Sequence, residues 1–322
     1  MKDHVTVAIP TYNAADWLSQ LLGGIYAQKT KRKVEILIID SGSTDGTLEI
    51  LKHHPKVRLH QIANSEFSHG GTRNLAVEMA KGQYVLFLTQ DAIPAHKYWL
   101  EAMVEPFELS DKVGCVVGKQ IPWPDAPVTI KREVYSVFRG LGPDDSISLA
   151  RQNKFTEKMG LVNTFMSNTN SAVRKDLHAQ IPFRQVNYAE DQGLGIDMLK
   201  AGYYKAYAPL GSVNHSHDYG VGEYFRRKFD EYVGLRETTG YTATAGVREL
   251  MLGSAKATLR DWQFLLRDGQ YSLGQKLANF FKAPAYNAGL RLAIRAAASK
   301  KIADKKHHKY SLEARAKKSK NG

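Results

Sequence analysis

Continuous apolar runs alternate with amphipathic segments over the first ninety residues of the chain. The runs predict strands over 5–9, 34–40, 57–62 and 83–88. Between them, apolar residues recur at the spacing of a helix that covers one face of a core. Because the strand-like runs are apolar throughout, we expect both of their faces to be buried. This pattern predicts an α/β fold with a Rossmann-like, mostly parallel sheet flanked by helices.

The pattern changes along the rest of the chain. Residues 121–160 are rich in Pro, Gly and Asp and predict a long, loop-rich insertion, whereas the pattern from about Tyr219 onward is helical. The Lys-rich end is expected to fray. We therefore predict a ligand-binding α/β domain over 1–235, a C-terminal helical region over 236–300 and a basic polar tail over 301–322.

Polar residues gather where the predicted strands end. The groups are Pro10, Thr11, Tyr12 and Asn13 after the first strand, Asp40 and Ser41 after the second, and Gln90 and Asp91 after the fourth. Ligands of open α/β sheets bind beyond the carboxyl ends of the strands. Two more groups are candidates for the same site. Glu190 and Asp191 precede a helix, and His215 and His217 follow a strand-like segment.

Charge and composition narrow the class of protein. The chain has 322 residues, 43% of them hydrophobic, and a formal net charge of +13, concentrated near the C-terminus. No apolar run approaches the roughly 18 residues of a membrane span, and no secretory signal is recognised at the N-terminus. Cys115 is the single cysteine, so an internal disulfide is excluded. We expect a cytoplasmic protein, with its basic end available to a membrane surface.

An ordered set of short motifs resembles a known family. The motifs are PTYN, IID with SGSTDGT, GGTRN, a strand ending in QD, and a later ED before a helix. Together they resemble the inverting family 2 glycosyltransferases of the GT-A fold, over roughly residues 4–235. Within that family, FSHGGTRN and FLTQDA are most similar to bacterial rhamnosyltransferases that use dTDP-β-L-rhamnose.

The resemblance implies roles for individual side chains. Asp191 matches the family's general base, with Glu190 as its support or as an acceptor-binding group, and Asp40 is implied to recognise a uracil or thymine base. The other donor-binding candidates are Pro10, Thr11, Tyr12, Asn13, Ser41, Gly71, Arg73, Gln90 and Asp91. Further candidates are His69, Arg226, Arg227 and Lys228 for phosphate or sugar. Turns, helix caps and ordinary ion pairs are the open alternatives for these residues.

The metal site departs from the family pattern. The family usually has two acids here that flank a divalent metal, whereas this chain has Thr89, Gln90 and Asp91. Magnesium can be held by one or two carboxylates together with substrate phosphates and water. His215 or His217 could complete the site, which would suit Mn²⁺ better than Mg²⁺. A transferase that lost its metal with the missing acid is the alternative.

These observations favour a metal-assisted, inverting rhamnosyltransferase with Mg²⁺ or Mn²⁺ as cofactor. The expected partners are dTDP-rhamnose, a glycan or lipid-linked acceptor, an inner-membrane surface and a second copy of the chain. A UDP-hexose or UDP-N-acetylhexosamine donor is one alternative. A non-catalytic basic binding module is another, although the basic tail lacks the interleaved aromatic residues that stack on nucleic acid bases.

Overall fold

The computed structural model of the chain describes residues 4–152, 161–312 and 314–315. Two compact units make up these residues. The first contains residues 1–121 and 137–215, and the second contains 122–136 and 216–322. The predicted domain boundary at residue 235 lies inside the helix Val221–Thr239. That boundary stays a prediction.

The first unit is built around one mixed sheet. Its strands are β1 (His4–Thr11), β2 (Lys33–Asp40), β3 (Val57–Gln61), β4 (Tyr84–Leu88), β5 (Ile93–Pro94), β6 (Val113–Ile121), β7 (Ser148–Ala150), β8 (Asn170–Arg174) and β9 (Tyr204–Asn214). The strand order is β3-β2-β1-β4-β8-β6-β9-β5, and β7 pairs with β9. The pairs among β1 to β4 are parallel, as predicted, but β8 runs antiparallel to both of its neighbours.

Helices connect these strands and continue into the second unit. They are α1 (Ala15–Tyr26), α2 (Thr47–Lys52), α3 (His69–Met79), α4 (Trp99–Leu109), α5 (Val128–Leu141), α6 (Leu161–Thr164), α7 (Glu190–Lys200), α8 (Val221–Thr239), α9 (Ser254–Arg267), α10 (Leu273–Ala298) and α11 (Lys300–Tyr310). In the described part of the chain, none of them is both long enough and apolar enough to cross a bilayer.

Strand register brings the polar segments to one edge of the sheet. Thr11 at the end of β1 pairs with Asp40 at the end of β2. Leu88 at the end of β4 pairs with Asn170, where the antiparallel β8 begins. Since β6 and β9 are parallel, Ile121 and Asn214 also end side by side. The segments after β1, β2, β4 and β9 and the one before β8 therefore emerge at the same edge.

Two stretches contain more helix than the sequence pattern predicts. Residues 121–160 are not loop throughout, because α5 occupies 128–141. The Pro residues of this stretch stand before and after that helix, and Gly140 lies in its last turn, so they do not interrupt it. The basic tail is also helical over 300–310, and the part from 316 onward lies outside the described residues.

The second unit has its own apolar core and several buried ion pairs. Phe229 and Val233 of α8 pack against Ala293 and Ala297 of α10. Lys131 is wholly buried and pairs with Asp268 at 2.7 Å. These contacts make α8, α9 and α10 a packed helical unit rather than a loose extension.

Candidate functional site

Asp40, at the end of β2, is wholly buried and holds its own loop in shape. Its Oδ1 accepts hydrogen bonds from the backbone N–H groups of Gly42 and Ser43, at 3.1 and 2.9 Å. Its Oδ2 accepts from the hydroxyls of Thr11 and Ser43, at 3.0 and 2.5 Å. The carboxylate is 0% exposed. The structure therefore gives Asp40 a loop-shaping role, and its contact with a base stays a prediction.

The backbone of the first strand tip is fixed by Gln90. The amide oxygen of Gln90 accepts from the backbone N–H of Tyr12 at 2.8 Å, and its amide nitrogen donates to the Tyr12 carbonyl at 3.1 Å. Asn13, which follows, has a left-handed φ of 50° and its backbone N–H donates to Ser43. Gln90 thus ties the segment after β4 to the segment after β1, and its contact with the donor stays a prediction.

Glu190 and Asp191 open helix α7 in a strained turn. Ala189, the residue before them, has φ 63° and ψ 31°, a left-handed conformation that a residue with a Cβ rarely adopts. Asn168, just before β8, contacts both acids. Its side-chain amide donates to Glu190 at 2.9 Å, and its backbone N–H donates to Asp191 at 3.2 Å. Asn168 therefore fixes the relative position of the two carboxylates.

Glu190 is buried against a cation from helix α3. Its carboxylate lies 3.2 Å from the Arg73 guanidinium, and both side chains are less than a tenth exposed. Burial by itself would raise the pKa of Glu190, but Arg73 and then His69 hold that pKa below its usual value. Glu190 is thus held in its charged form beside Asp191.

Asp191 has the opposite electrostatic environment. Burial, followed by the negative charge of Glu190, raises the pKa of Asp191 to about 7. Only two backbone N–H groups, those of Asn168 and Gln192, donate to its carboxylate among the bonds of the described residues. Asp191 is half-buried as a residue, and its carboxylate can take up a proton near neutral pH.

Asp91 lies close to His215 at the same edge of the sheet. The Nε2 of His215 is 3.4 Å from Asp91 Oδ2, and the two side chains are 8% and 21% exposed. The Nδ1 of His215 lies 3.2 Å from the Oε1 of Gln120, whose amide nitrogen donates to the Ser167 hydroxyl at 2.9 Å. Because Gln120 uses its N–H₂ on Ser167, its oxygen accepts from Nδ1–H and leaves Nε2 toward Asp91.

Asp91 and His215 fit a divalent cation in their chemistry. A carboxylate oxygen and an imidazole nitrogen are both ligands for transition metals such as Mn²⁺. The hydroxyl of Thr89, where the family has a second acid, is buried and has no hydrogen-bond partner in the described part of the chain. His217 follows His215 by two residues and belongs to the second unit, where its ring stacks on Tyr219.

Contacts of the segment before β8 connect the acids to the metal candidates. The backbone N–H of Thr89, two residues before Asp91, donates to the carbonyl of Thr169. Ser167 contacts Gln120, and the next residue, Asn168, contacts the acid pair. The segment before β8 therefore links the Asp91–His215 pair, through Gln120 and Ser167, to the acids that Asn168 contacts. A shared catalytic role for these residues stays a prediction.

Other predicted residues have structural partners of their own. A Cβ at Gly70 would lie 2.2 Å from the Arg184 carbonyl, so the close approach that Gly70 permits is to Arg184. The N–H of Gly71 donates to the N-cap residue Ser68 of α3. Lys228 lies buried in the second unit and pairs with Glu133 and with Glu231. Its suggested contact with a diphosphate has no support in these pairings.

Sequence reasoning missed Gln120, Ser167 and Asn168. Each is an ordinary polar residue near the end of a strand, and no motif distinguishes it. Their contacts arise because β8 inserts between β4 and β6. The available signal was the polar run SNTNS, residues 167–171, which leads into β8 and which a loop would also explain.

Comparison with known proteins confirms the resemblance seen in the motifs. Residues 6–181 match the family described as Glycosyl transferase family 2. The O-antigen chain rhamnosyltransferases RfbN of Salmonella typhimurium and WbaN of Salmonella anatum are 33% and 34% identical over 231 residues, which is 70% of this chain and 70% of each relative.

A solved structure agrees with the fold. The mannosyltransferase PcManGT from Pyrobaculum calidifontis, in complex with GDP-Man and Mn²⁺, superposes with a TM-score of 0.61, 20% identity and coverage of 94% of this chain and 87% of that chain. At that identity the likeness concerns the fold alone. From the family match and the two close relatives, the chain belongs to glycosyl transferase family 2 and is a glycosyltransferase.

Proposed function

We propose that the protein is an inverting rhamnosyltransferase that moves L-rhamnose from dTDP-β-L-rhamnose to a hydroxyl of a cell-surface polysaccharide or its lipid-linked precursor. The relatives RfbN and WbaN, which are named as O-antigen chain rhamnosyltransferases, support this donor and acceptor class. The observation that carries the proposal is the pair of acids at the start of α7, Glu190 with a lowered pKa and Asp191 with a raised one. Asn168 contacts both acids, and Asp91 and His215 lie at the same edge of the sheet.

Asp191 is the proposed general base. A base with a pKa near the working pH is ionised often enough to accept a proton and strong enough to remove one. The acceptor oxygen attacks the anomeric carbon while its proton passes to Asp191. The new bond forms on the face opposite the bond to dTDP, which breaks with its electron pair on the diphosphate. Inversion follows from this single displacement.

Glu190 is proposed to set the position and the pKa of that base. Its charge, held by Arg73, raises the pKa of Asp191, and Asn168 bridges the two carboxylates. Since both of its partners are buried, Glu190 keeps its place while Asp191 changes protonation. Arg73 adds positive charge to this side of the site.

Asp91 and His215 are proposed to hold a divalent cation, with His217 as a third ligand. A bound Mn²⁺ or Mg²⁺ would neutralise charge on the diphosphate as the sugar leaves. Gln120 holds the His215 ring with Nε2 toward Asp91. An imidazole ligand favours Mn²⁺ over Mg²⁺. The bound Mn²⁺ of the Pyrobaculum structure is in line with this preference.

A panel of nucleotides tests the donor and the metal together. We expect dTDP with Mn²⁺ to raise the melting temperature most, when compared with UDP, GDP and CDP, each with and without Mn²⁺. A preference for UDP would replace rhamnose by a UDP-hexose or UDP-N-acetylhexosamine donor. Stabilisation by dTDP that ignores Mn²⁺ and Mg²⁺ would contradict the metal site, and no response to any nucleotide would favour a binding module.

A further inference from the structure

Helices α9 and α10 of the second unit expose a group of large apolar side chains, which we name the apolar ridge. Its members are Leu259, Leu266, Leu273, Leu277, Phe280 and Phe281, with exposed fractions between 42% and 85%. Monomeric soluble proteins rarely expose apolar side chains in one contiguous group, and such groups mark interaction sites.

Helical spacing puts the ridge residues on one face of each helix. Leu259 and Leu266 stand two turns apart on α9, and Leu273, Leu277 and Phe281 follow one another at i, i+4 and i+8 on α10. Other faces of the same helices carry buried core residues, among them Leu265 of α9 and Ala283 of α10. The ridge is therefore additional to the core.

Aromatic contacts join the ridge residues of α9 to those of α10. The Trp262 indole stacks on the Phe280 ring, with the centroids 4.4 Å apart, and its Nε1 donates to the Phe280 carbonyl at 2.9 Å. The Phe281 ring meets Phe280 edge to face at 5.5 Å. The apolar surface thus continues from α9 to α10.

The surroundings of the ridge are positive. Helices α9 and α10 carry seven Lys and Arg residues against one acid, Asp261. Side chains on α9 and α10 that provide positive charge beside the ridge are Lys256, Arg260, Arg267, Lys276 and Lys282.

Few acids lie on the helices that carry the ridge. Asp261 and Asp268 are the two acids between residues 250 and 303. Asp261 is wholly buried and pairs with Arg132, and Asp268 pairs with the buried Lys131. A second copy docked through the same face would set cations against cations. A surface of phosphate groups over an apolar layer complements it instead.

We propose that the apolar ridge docks the protein on an anionic lipid bilayer. The Leu and Phe side chains enter the boundary between headgroups and acyl chains, while the flanking Lys and Arg residues pair with lipid phosphates. This inference does not depend on the donor sugar or the metal. It deepens the proposed function by placing the transferase where a lipid-linked acceptor resides.

Vesicle co-sedimentation tests the inference. We expect the full chain to bind vesicles that contain phosphatidylglycerol at least tenfold more tightly than pure phosphatidylcholine vesicles, and added salt should weaken the binding. The double variant L277S/F281S should lose at least tenfold in affinity for the anionic vesicles. Because both side chains are exposed, its melting temperature and its response to nucleotides should be those of the wild type.

A matched control replaces two exposed leucines of the first unit, Leu109 and Leu210. The variant L109S/L210S should bind the anionic vesicles like the wild type. The proposal is overturned if the wild type ignores anionic vesicles, or if both double variants bind equally. It is also overturned if L277S/F281S turns a dimer into a monomer by light scattering, since a second copy would then cover the ridge. None of these outcomes bears on nucleotide binding.

Discussion

Asp40 and Asp191 are acids at the same edge of one sheet, and their environments are opposite. Asp40 has four hydrogen-bond donors, three from its own loop and one from Thr11 of β1, and no exposure. Asp191 accepts hydrogen bonds from two backbone N–H groups. Burial and then the charge of the neighbouring Glu190 raise the pKa of Asp191 to about 7. A carboxylate saturated by its own loop stabilises structure, whereas an accessible one with a raised pKa is available for chemistry.

Of the variants considered, Asp191→Asn should cause the largest loss of activity, and it tests whether Asp191 takes part in catalysis. We expect turnover of dTDP-rhamnose to slow by about 1,000-fold because the variant lacks the proposed general base. If the melting panel selects another nucleotide, the same loss is expected with the corresponding donor. Asp197→Asn is the matched control, because Asp197 lies on the same helix and pairs with Arg184 at 2.6 Å. A variant that keeps full activity would remove Asp191 from the mechanism.

The same variant has a pH-dependent effect on stability. Because the folded-state pKa of Asp191 lies above its unfolded value, ionisation of this group disfavours the folded state above about pH 7. That penalty is relieved as the pH falls below 7. The melting temperature of Asp191→Asn relative to the wild type should therefore be higher at pH 8 than at pH 5, as measured by calorimetry at both pH values.

Asp40→Ala should lower the stability of the fold, which tests whether Asp40 is structural. Four donors lose their acceptor, and buried donors without partners cost about 1–3 kcal/mol each when water cannot reach them. Partial relaxation of the loop leads us to expect a loss of about 2–4 kcal/mol in the free energy of unfolding, measured by urea denaturation.

The control for Asp40 is Asp45 in the same loop. Asp45 is exposed and accepts from the backbone N–H groups of Ala15 and Thr47, which resembles a helix cap. Asp45→Ala should cost only about 1 kcal/mol. If both variants lost equal stability, the contrast drawn between saturated and accessible acids would fail.

The parts of this site that the sequence predicts are those with local signals. Strands β1, β2 and β4 are continuous apolar runs, and the acids of interest directly follow a strand or begin a helix. The contrast between Asp40 and Asp191 could not be predicted, because it depends on hydrogen bonds that form only after the strands pair. The left-handed turn at Ala189 is hidden for a related reason, since alanine has no preference for that conformation.

Non-local pairing explains the remaining omissions. Asn168 reaches the acid pair because β8 enters the sheet antiparallel, a reversal that alternating strands and helices do not indicate. Helix α5 was hidden by the Pro and Gly residues at its ends. Both features come from tertiary context, which overrides local pattern.

Gln120→Leu should have a smaller effect, restricted to the metal. The substitution removes the acceptor for His215 Nδ1, so the ring is less firmly held. Loss of such an outer partner typically weakens metal binding by tenfold or more. We expect about a tenfold increase in the Mn²⁺ concentration that gives half-maximal turnover, with little change in nucleotide affinity.

Gln28→Leu is the control for this measurement, since the Gln28 amide bonds to the Gly24 and His96 carbonyls, away from His215. It should leave the Mn²⁺ dependence unchanged. An equal shift in both variants would mean that the Gln120 effect is general destabilisation. No shift in either would argue against His215 as a ligand.

Glu190→Gln should produce the smallest and most specific change. Removing the charge of Glu190 takes away one cause of the raised pKa of Asp191 and leaves the Arg73 charge to lower it further. The acid limb of the pH–rate profile should therefore move to lower pH, by about one unit, since one unit corresponds to about 1.4 kcal/mol of interaction. Turnover at high pH should change less than turnover near the limb.

Glu105→Gln, which changes an exposed acid of α4, is the control and should leave the pH–rate profile in place. A limb that stays fixed in Glu190→Gln, or moves to higher pH, would show that burial alone raises the pKa of Asp191, and the pairing of the two acids would then have no part in tuning the base.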